Sequence, residues 1–193
     1  GKDNTVGVDG TREELISTDV IYRGLSELSQ IFGVPEAGEI AIANLKAREA
    51  AAIMRAKNLK IANVSALFWF SSSKLDADPF VAGAKGAPGF IMTQLGIRNV
   101  VDSSEEWPTV GWETLAKANP TYIVLADLQR RKFPADAVEV KMNFLKNDPV
   151  ASEMDAVKEG RVLILDAHAM DATIRTISGL ELMADALEKE AAK

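Results

Sequence analysis

The fold is decided by two short apolar runs, Tyr122-Ile123-Val124-Leu125-Ala126 and Val162-Leu163-Ile164-Leu165. Continuous apolar runs of this length are typical of strands that are buried on both faces of a parallel sheet. A third run of the same kind, Val64-Ser65-Ala66-Leu67-Phe68-Trp69-Phe70, occurs earlier in the chain. Because helical segments separate these runs, the sequence predicts an α/β fold with parallel strands joined by right-handed crossovers.

The helical segments are predicted from apolar periodicity and from capping residues. Thr18 or Asp19 can cap a first helix, whose apolar stripe recurs at steps of three and four as far as Phe32. Gly33 ends this helix, and Pro35 begins a second, alanine-rich helix because its missing N–H costs little at that position. The remaining predicted elements are helices over residues 90–95, 113–118, 151–158 and 173–190 and a short strand at 99–101.

Composition excludes several classes of protein. Hydrophobic residues make up 47% of the 193 residues and charged residues 26%, which is ordinary for a globular protein with a sizeable core. The net charge is −6 and no basic block occurs, which argues against a nucleic-acid partner. No apolar stretch approaches ~18 residues, so no transmembrane helix is expected. Cysteine is absent, which removes disulfides, thiolate metal sites and thiol catalysis.

Common enzyme motifs are also missing from the sequence. No Gly-x-Gly-x-x-Gly follows a predicted strand, no phosphate-binding loop ends in Gly-Lys-Ser/Thr, and neither Gly-x-Ser-x-Gly nor His-Glu-x-x-His occurs. One histidine and no cysteine leave few general bases other than carboxylates. These absences favour a binding protein over an enzyme, and no intrinsic cofactor or metal site is expected.

An ordered set of short motifs spans residues 107–187. Its members, in chain order, are Trp107-Pro108, Gly111-Trp112-Glu113, Asn119-Pro120, the strand from Tyr122, Asp148-Pro149, Ala156-Val157-Lys158-Glu159-Gly160-Arg161 and the strand from Val162. This order resembles the C-terminal lobe of the solute-binding receptors that feed ABC importers of ferric siderophores, haem and cobalamin. The resemblance extends over about residues 17–187 and rests on ordered weak motifs, not on one rare signature.

The resemblance implies a domain plan. Residues 1–17 are an irregular lead-in, residues 18–58 form a helical pair that includes the helix bridging two lobes, and residues 59–193 form a Rossmann-like C-terminal lobe with helices on both faces of a mostly parallel sheet. The N-terminal lobe, which such receptors place before the bridging helix, is expected to be missing from this sequence.

The resemblance also implies a function. Such a receptor is periplasmic or otherwise extracytoplasmic, holds a metal chelate between its lobes, and delivers it to an ABC permease in the membrane. A ferric siderophore is the first expected ligand, ahead of haem or cobalamin. The polar start of the chain shows no signal peptide, and an export signal would lie upstream.

Ligands of open parallel sheets usually lie beyond the carboxyl ends of the strands. Three loops leave such ends here, at residues 70–83, 127–134 and 166–171. The second loop contains Arg130-Arg131-Lys132, and the planar guanidinium groups of Arg130 and Arg131 suit carboxylate, catecholate or phosphate oxygens. We predict that Arg130 and Arg131 bind an anionic ligand, whereas the alternative is a solvated basic turn.

The first loop follows Trp69 and Phe70, whose aromatic rings could stack on a flat ligand. Successive residues of a strand point to opposite faces, so at most one of the two rings is expected to reach the cleft. Core packing is the alternative for each ring.

The third loop contains the only histidine, His168, which could supply one metal ligand or hydrogen-bond a siderophore. A lone histidine cannot form a typical zinc site, and a structural hydrogen-bonding role is the alternative. Arg175 follows in the last helix and could reach the same cleft. Its alternative partner is Asp171, which lies four residues earlier at helical spacing.

Glu113 is predicted to contact the permease. In the receptors that the chain resembles, a glutamate at the start of this helix is a surface carboxylate that docks onto permease arginines. A carboxylate in the first turn of a helix is also favoured by the helix dipole alone.

Two other functions remain open at this stage. One is a free-standing α/β module whose helical pair packs against a partner protein, and an exposed apolar face on residues 18–58 would favour it or the receptor. The other is a small α/β enzyme that uses carboxylates and the 130–132 loop on a phosphorylated substrate.

Overall fold

A computed structural model describes residues 4–59, 63–130 and 133–192 of the chain. Its α-helices are α1 (Thr18–Ile31), α2 (Pro35–Asn58), α3 (Ala87–Leu95), α4 (Trp112–Ala118), α5 (Val138–Asn147), α6 (Asp155–Lys158) and α7 (Thr176–Ala191). Its strands are β1 (Ser65–Ser71), β2 (Phe80–Val81), β3 (Arg98–Asn99), β4 (Tyr122–Asp127) and β5 (Val162–Asp166). Short 3-10 helices occupy Pro134–Asp136, Ala151–Glu153 and Ala167–Met170.

The strands form one mostly parallel sheet with the order β2-β1-β4-β5. The β1–β4 ladder begins at Ala66–Tyr122 and ends at Trp69–Leu125, and β4 pairs in parallel with β5 as far as Asp127–Asp166. The start of β1 also pairs in parallel with β3, whereas its end pairs with the short antiparallel strand β2. The predicted mixed α/β fold with a mostly parallel sheet is confirmed.

The two faces of the sheet bury two separate apolar clusters. One cluster joins alternate residues of β1 and β4, such as Phe68 and Val124, to α2, α3 and α7. The other joins the intervening residues, such as Leu67 and Ile123, to α4, α5 and the segment around α6. This alternation follows from the two-residue repeat of a strand, and it leaves β1 and β4 buried on both faces.

Ion pairs on the surface of the molecule show the relative orientation of helices α2 and α7. Arg48 forms two hydrogen bonds with Glu181, at 2.7 and 2.6 Å, and Arg55 contacts Asp185 and Glu188 at 2.7 and 3.1 Å. Both partners advance together along their helices, so α2 and α7 run in the same direction. None of the described helices is long and apolar enough to cross a membrane.

Several predicted boundaries differ from the structure. Helix α5 was not predicted, because its apolar residues alternate as in a strand and one of its two buried positions is occupied by Lys141. The helix predicted over 151–158 is split at Met154, whose extended backbone, with ψ 135°, separates a 3-10 turn from α6. The last helix begins at Thr176 and not at 173, and the strand predicted at 99–101 is only Arg98–Asn99.

The lead-in segment, residues 4–17 as the structure describes it, is irregular but firmly attached to the lobe. Arg12 donates one hydrogen bond to the Asn4 carbonyl and another to Glu106 Oε1, both at 2.5 Å, and only 6% of the residue is exposed. Ile16 is also buried and joins the first apolar cluster. A pocket with a volume of about 430 Å³ lies within this segment, and its lining residues include none of the strand-end side chains described below.

Candidate functional site

The connections of the sheet part at the carboxyl ends of β1 and β4, and the region between these two ends is here called the crevice. The chain leaves β1 through α3 toward β3 on one side, whereas it leaves β4 through α5 and α6 toward β5 on the other side. Adjacent strands whose connections part in this way form a topological switch point, where open α/β sheets bind ligands. The three loops predicted from the sequence all begin at this edge of the sheet.

An aromatic pair stands at the end of β1. The half-buried ring of Phe70 stacks on Trp107, with centroids 4.4 Å apart and planes inclined by 24°. Trp107 comes from the loop before α4 and is also half-buried. It belongs to the motif set that carries the family resemblance, but it was not predicted as a site residue, because nothing in the sequence shows that it meets Phe70. The pair is a flat apolar surface of the kind that stacks on a planar ligand group.

Trp69 does not belong to this surface, so the structure corrects its prediction as a ligand contact. The residue is fully buried, with 0% exposure, and its ring packs edge-on against Trp112 and Phe144. Its indole Nε1 donates a 2.9 Å hydrogen bond to Ser72 Oγ. The expectation that Trp69 and Phe70 face opposite sides holds, since they pack against different clusters.

A buried lysine closes the floor of the crevice. The ammonium of Lys141, on α5, donates to the carbonyl oxygens of Phe70 at 2.5 Å and of Ala126 at 3.3 Å. It also lies 5.3 Å from the centre of the Trp69 ring. Burial lowers the pKa of Lys141 from 10.5 to about 8, while the carboxylates of Asp136 and Asp127 act in the opposite direction.

A buried carboxylate holds the turn that follows Phe70. Asp136, which is 2% exposed, accepts hydrogen bonds from Ser71 Oγ at 2.9 Å and from the Ser72 backbone N–H at 2.8 Å. Lys141 and Asp136 were both missed from the sequence. A lone lysine and a lone aspartate carry no sign of burial in the sequence, since such residues are almost always exposed.

Arg130 lies in the loop that leaves β4, with an exposed side chain. It has no ion-pair partner among the residues that the structure describes, so its guanidinium is available to an anion. Arg131 and Lys132 lie outside the described residues. In the same loop, Asp127 accepts a 2.8 Å hydrogen bond from Gln129 Nε2.

The loop after β5 brings His168 and Arg175 to the same edge, but Arg175 is already paired. Its guanidinium contacts Asp166 Oδ2 at 3.0 Å and not Asp171, because Asp166 ends β5 directly opposite the start of α7. The side chain of His168 is 67% exposed, and its Nδ1 lies 4.0 Å from Asp171 Oδ2. Neither of the alternatives weighed for Arg175, a free cleft cation or a bond to Asp171, describes this pairing.

Carboxylates make the charge at this edge mixed. Burial and the neighbouring Glu106 carboxylate raise the pKa of Asp171, and His168 acts in the opposite direction. Among the described residues of this edge, Arg130 is thus accompanied by the carboxylates of Asp127, Asp166 and Asp171. Within those residues, no group of three histidine, aspartate or glutamate side chains is arranged to hold a metal ion.

Glu113 lies in the first turn of α4, after the cap residue Gly111, and its side chain is exposed. Since α4 leads into the start of β4, the opposite end of this short helix faces the edge of the sheet that carries the crevice. Glu113 is thus accessible on the same side of the molecule as the candidate ligand surface.

The α1–α2 end projects beyond this edge. Ion pairs join α2 to residues of α7 that lie 130 to 133 positions later, so Thr176 is level with about residue 43 of α2. The part of α2 before that level is about 12 Å long at 1.5 Å per residue. This projecting end, here called the apolar tip, exposes five large apolar side chains: Leu28 (51%), Ile31 (76%), Phe32 (74%), Val34 (50%) and Ile40 (64%).

Solved structures share this fold. A periplasmic binding protein from Veillonella parvula DSM 2008 is 24% identical and aligns with a TM-score of 0.70 over 89% of this chain and 57% of its own. The periplasmic haem-binding protein RhuT from Roseiflexus sp. RS-1 is 23% identical, with a TM-score of 0.72 over 91% of this chain and 64% of its own. An ABC-type Fe³⁺-hydroxamate transport system protein from Saccharomonospora viridis DSM 43017 is 18% identical, with a TM-score of 0.71 over 89% and 56%.

At these low identities, the TM-scores show a common fold and nothing more. The chain spans less than two thirds of each of those proteins. A comparison with curated proteins gives no match. The family model described as periplasmic binding protein matches residues 3–169, which is most of the chain. On that match, together with the α/β architecture and the crevice at its switch point, the chain belongs to the periplasmic binding protein family.

Proposed function

We propose that this chain is the substrate-binding component of an ABC-type importer and that it binds an iron chelate. The observation that carries the proposal is the stacked pair Phe70–Trp107 at the switch-point crevice, with the exposed Arg130 on the adjacent loop. An apolar aromatic surface beside an unpaired cation suits a ligand that is flat or apolar in one part and anionic in another. Ferric siderophores and haem both have this character.

Two neighbours in the fold comparison support this ligand class. RhuT is described as a haem-binding protein, and the protein from Saccharomonospora viridis belongs to an Fe³⁺-hydroxamate transport system. Binding proteins of this family act outside the cytoplasm, so we place this chain in the periplasm or its extracytoplasmic equivalent. No chemical step is required of a receptor that captures and releases its cargo unchanged.

We further propose that the ligand is held between this lobe and a second one. The apolar tip of α1 and α2 projects past the crevice edge, and its five side chains form an apolar surface of the kind that marks a protein–protein contact. Residues 18–58 would then be the bridging helical pair and residues 59–193 the C-terminal lobe. The partial coverage of the neighbouring structures supports this division.

The same apolar tip favours one other function, that of an α/β module whose helical pair packs against a partner protein. This second candidate predicts association through α1 and α2 without any chelate binding. Titration of ligands therefore separates the two proposals.

Glu113 is proposed as a permease contact, together with the delivery step that such a contact serves. Its support is its exposure in the first turn of α4 on the crevice side of the lobe. Replacing Glu113 by glutamine should lower chelate uptake in cells that carry the permease while leaving the affinity for the chelate unchanged. Equal uptake by both forms would contradict the docking role.

The ligand experiment is a titration of the chain with haemin, a ferric trihydroxamate, a ferric tricatecholate and cobalamin. Tryptophan fluorescence and calorimetry report binding. We expect at least one ferric chelate to bind, and we expect Trp107→Ala and Arg130→Ala each to weaken it. Arg98→Ala is the matched control, because Arg98 is an exposed arginine on β3, which pairs with the opposite end of β1. One lobe of a two-lobe site should bind weakly, so each ligand is titrated to its solubility limit. No heat and no change in emission with any of the four would refute the proposal.

The charge part of the proposal has its own control. Replacing Arg130 and Arg131 together by alanine should weaken an anionic chelate about tenfold or more, since charged hydrogen bonds contribute about 1.5–3 kcal/mol each. A neutral corrinoid should be affected less. Equal losses of affinity for the two ligands would show that the arginines do not discriminate between ligands by charge.

A further inference from the structure

We propose that Lys141 is a positioning residue for the ligand surface: its ammonium ties β1 to β4 where the two strands separate, and it thereby sets the place of the Phe70–Trp107 pair. The role in ligand affinity rests on the proposed function. The role in placing the aromatic pair is a property of the protein alone and can be tested without a ligand.

The two carbonyl groups that Lys141 contacts lie just beyond the end of the β1–β4 ladder. The β1–β4 ladder ends at Trp69 and Leu125, and the next residues of the two strands are Phe70 and Ala126. Lys141 donates to the carbonyl oxygens of both, at 2.5 and 3.3 Å. The ammonium thus bridges the two strands one residue beyond the last backbone pairing, at the floor of the crevice.

The turn that follows Phe70 is also held in place. Ser71 and Ser72 continue the chain from Phe70, and the Asp136 carboxylate holds both through hydrogen bonds of 2.9 and 2.8 Å. Phe70 is therefore fixed from its own carbonyl by Lys141 and from the next two residues by Asp136. The Phe70 ring stacks on Trp107, so a displacement of the Phe70 backbone moves the stacked pair.

The residues that hold Phe70 follow the Arg130 loop in the chain. That loop leaves β4 at Asp127 and is followed by the 3-10 helix Pro134–Asp136 and then by α5. The groups that hold Phe70, namely Asp136 and Lys141, thus lie directly after the loop that carries Arg130. The two halves of the ligand surface are joined through buried polar contacts and not only through apolar packing.

A lysine at position 141 combines burial with a positive charge. Lys141 is fully buried, at 0% exposure, and burying an ammonium is unfavourable unless it is paired and hydrogen-bonded. A methionine of similar length would fill the same volume without the charge, but it would leave the two carbonyls without a donor. The charged groups that act on the ammonium are the carboxylates of Asp136, in the preceding 3-10 helix, and Asp127, at the end of β4. The neighbouring side chains of Ser71, at the end of β1, and of Ser72, directly after it, are uncharged.

The test uses the protein labelled with 5-fluorotryptophan, whose three tryptophans provide separate fluorine signals. The Trp107 signal is assigned with Trp107→Phe. We expect Lys141→Met to shift the Trp107 signal in the absence of any ligand, and we expect Lys146→Met to leave it unchanged. Lys146 is the matched control because it is an exposed lysine on the same helix. An unchanged Trp107 signal in a folded Lys141→Met protein would overturn the proposal.

A second measurement needs no variant and stays informative if Lys141→Met does not fold. The Trp107 signal of the wild-type protein should titrate with a midpoint near pH 8, where burial places the pKa of Lys141. A signal that is constant between pH 7 and 9.5 would also overturn the proposal.

Ligand binding is tested with haemin and a ferric trihydroxamate as probes. Lys141→Met should weaken the bound probe about tenfold, which corresponds to the loss of one charged hydrogen bond, and Lys146→Met should change its affinity less than twofold. The affinity of the wild-type protein is divided by that of each variant at the same pH, which cancels the pH dependence of the probe itself. The ratio to Lys146→Met should stay constant with pH. The ratio to Lys141→Met should fall above pH 8. A shifted Trp107 signal with no binding of either probe to the wild-type protein would refute the proposed ligand class and leave the positioning role intact. Unaltered probe affinity in Lys141→Met would overturn the ligand part of the inference.

Discussion

At the residue scale, Gly83 illustrates how closely two backbone segments approach beside the crevice. A Cβ atom at this position would lie 1.8 Å from the Glu105 carbonyl oxygen and 2.9 Å from that of Ser103. Both atoms belong to backbone, so they cannot rotate away as a flexible side chain would. The Gly83 N–H also donates to the Glu106 carbonyl at 3.0 Å, which fixes the loop before Trp107 against the segment after β2.

Gly83→Ala should therefore lower the free energy of unfolding by about 2 kcal/mol or more, the usual range for overpacking. Gly24→Ala is the control, because Gly24 lies in α1 and a Cβ there meets no atom within 4 Å. That change should stabilise the protein by about 0.5–1 kcal/mol, since alanine is the better helix residue. Urea midpoints measure both effects, and similar midpoints for the two variants would contradict the close approach.

Lys141 also determines how stability depends on pH. Its pKa of about 8 in the folded protein lies below the ordinary 10.5, so the unfolded chain holds more protons between these values. Stability must then rise with pH in this window. We expect the free energy of unfolding to increase by about 2 kcal/mol between pH 7.5 and 9.5, at 1.36 kcal/mol for each pKa unit.

The rise should be absent from Lys141→Met and present in Lys146→Met, as measured by urea unfolding at each pH. Tyr122 acts in the opposite direction, because burial raises its pKa to about 12 and stability is lost when the unfolded tyrosine ionises. That loss begins only near the ordinary tyrosine pKa of about 10, above the range measured. A flat wild-type profile would show that Lys141 is not the titrating group.

At the element scale, the packing of α2 on α7 combines buried alanines with ion pairs on the outside. Ala52 and Ala56 face the apolar cluster, and the small side chains let the helix approach α7 closely. The Arg48–Glu181 pair lies at the surface, with side chains 46% and 32% exposed. An exposed pair of this kind contributes less to stability than its short distances suggest, because solvent screens it.

A double-mutant cycle with Arg48→Ala and Glu181→Ala should give a coupling of about 0.2–1 kcal/mol at pH 7. The hydrogen bond from Arg48 lowers the pKa of Glu181, so the coupling is present above the ordinary glutamate pKa and is lost as the pH falls below it. It should also shrink in 1 M salt, where the screening length is about 3 Å. A coupling that survives at both pH 3 and high salt would show that the pair acts through packing and not through charge.

At the scale of the whole molecule, the N-terminal segment from residue 4 to residue 17 forms part of the lobe. Arg12 connects Asn4 to Glu106, and Glu106 precedes the Trp107 of the ligand surface. The Arg12 backbone N–H also donates to the Ser104 carbonyl at 2.8 Å. The segment thus covers the loop that positions half of the aromatic pair.

Arg12→Met should destabilise the protein by about 3 kcal/mol, since it leaves the Glu106 carboxylate largely buried, 17% exposed, without its partner. The double variant Arg12→Met with Glu106→Gln should regain part of this loss, because it removes the unpaired charge as well. Thermal unfolding measures stability, and hydrogen exchange over residues 4–17 measures detachment. A double variant that is less stable than Arg12→Met would contradict the buried-pair explanation.

Much of the architecture could be predicted from the order and spacing of residues. Apolar runs predicted β1, β4 and β5 to within one residue at each end, and strand alternation predicted that Trp69 and Phe70 point to opposite faces. Helix α5 could not be predicted, because one of its two buried positions is a lysine and its apolar residues have the period of a strand. The three candidate loops were also predicted correctly to share one edge of the sheet.

What the sequence determined by itself was therefore the α/β class, the parallel connections and the family, because local periodicity and motif order are written along the chain. Tertiary structure alone decided which side chains meet: Phe70 with Trp107, Arg175 with Asp166, and Lys141 with two strand ends. Each of these contacts joins segments that only the folded sheet brings together, and Lys141 reaches across 71 positions to Phe70. Tertiary structure also decided the burial of Trp69, because α4 and α5 pack over its face of the sheet. No pattern within β1 predicts that they do so.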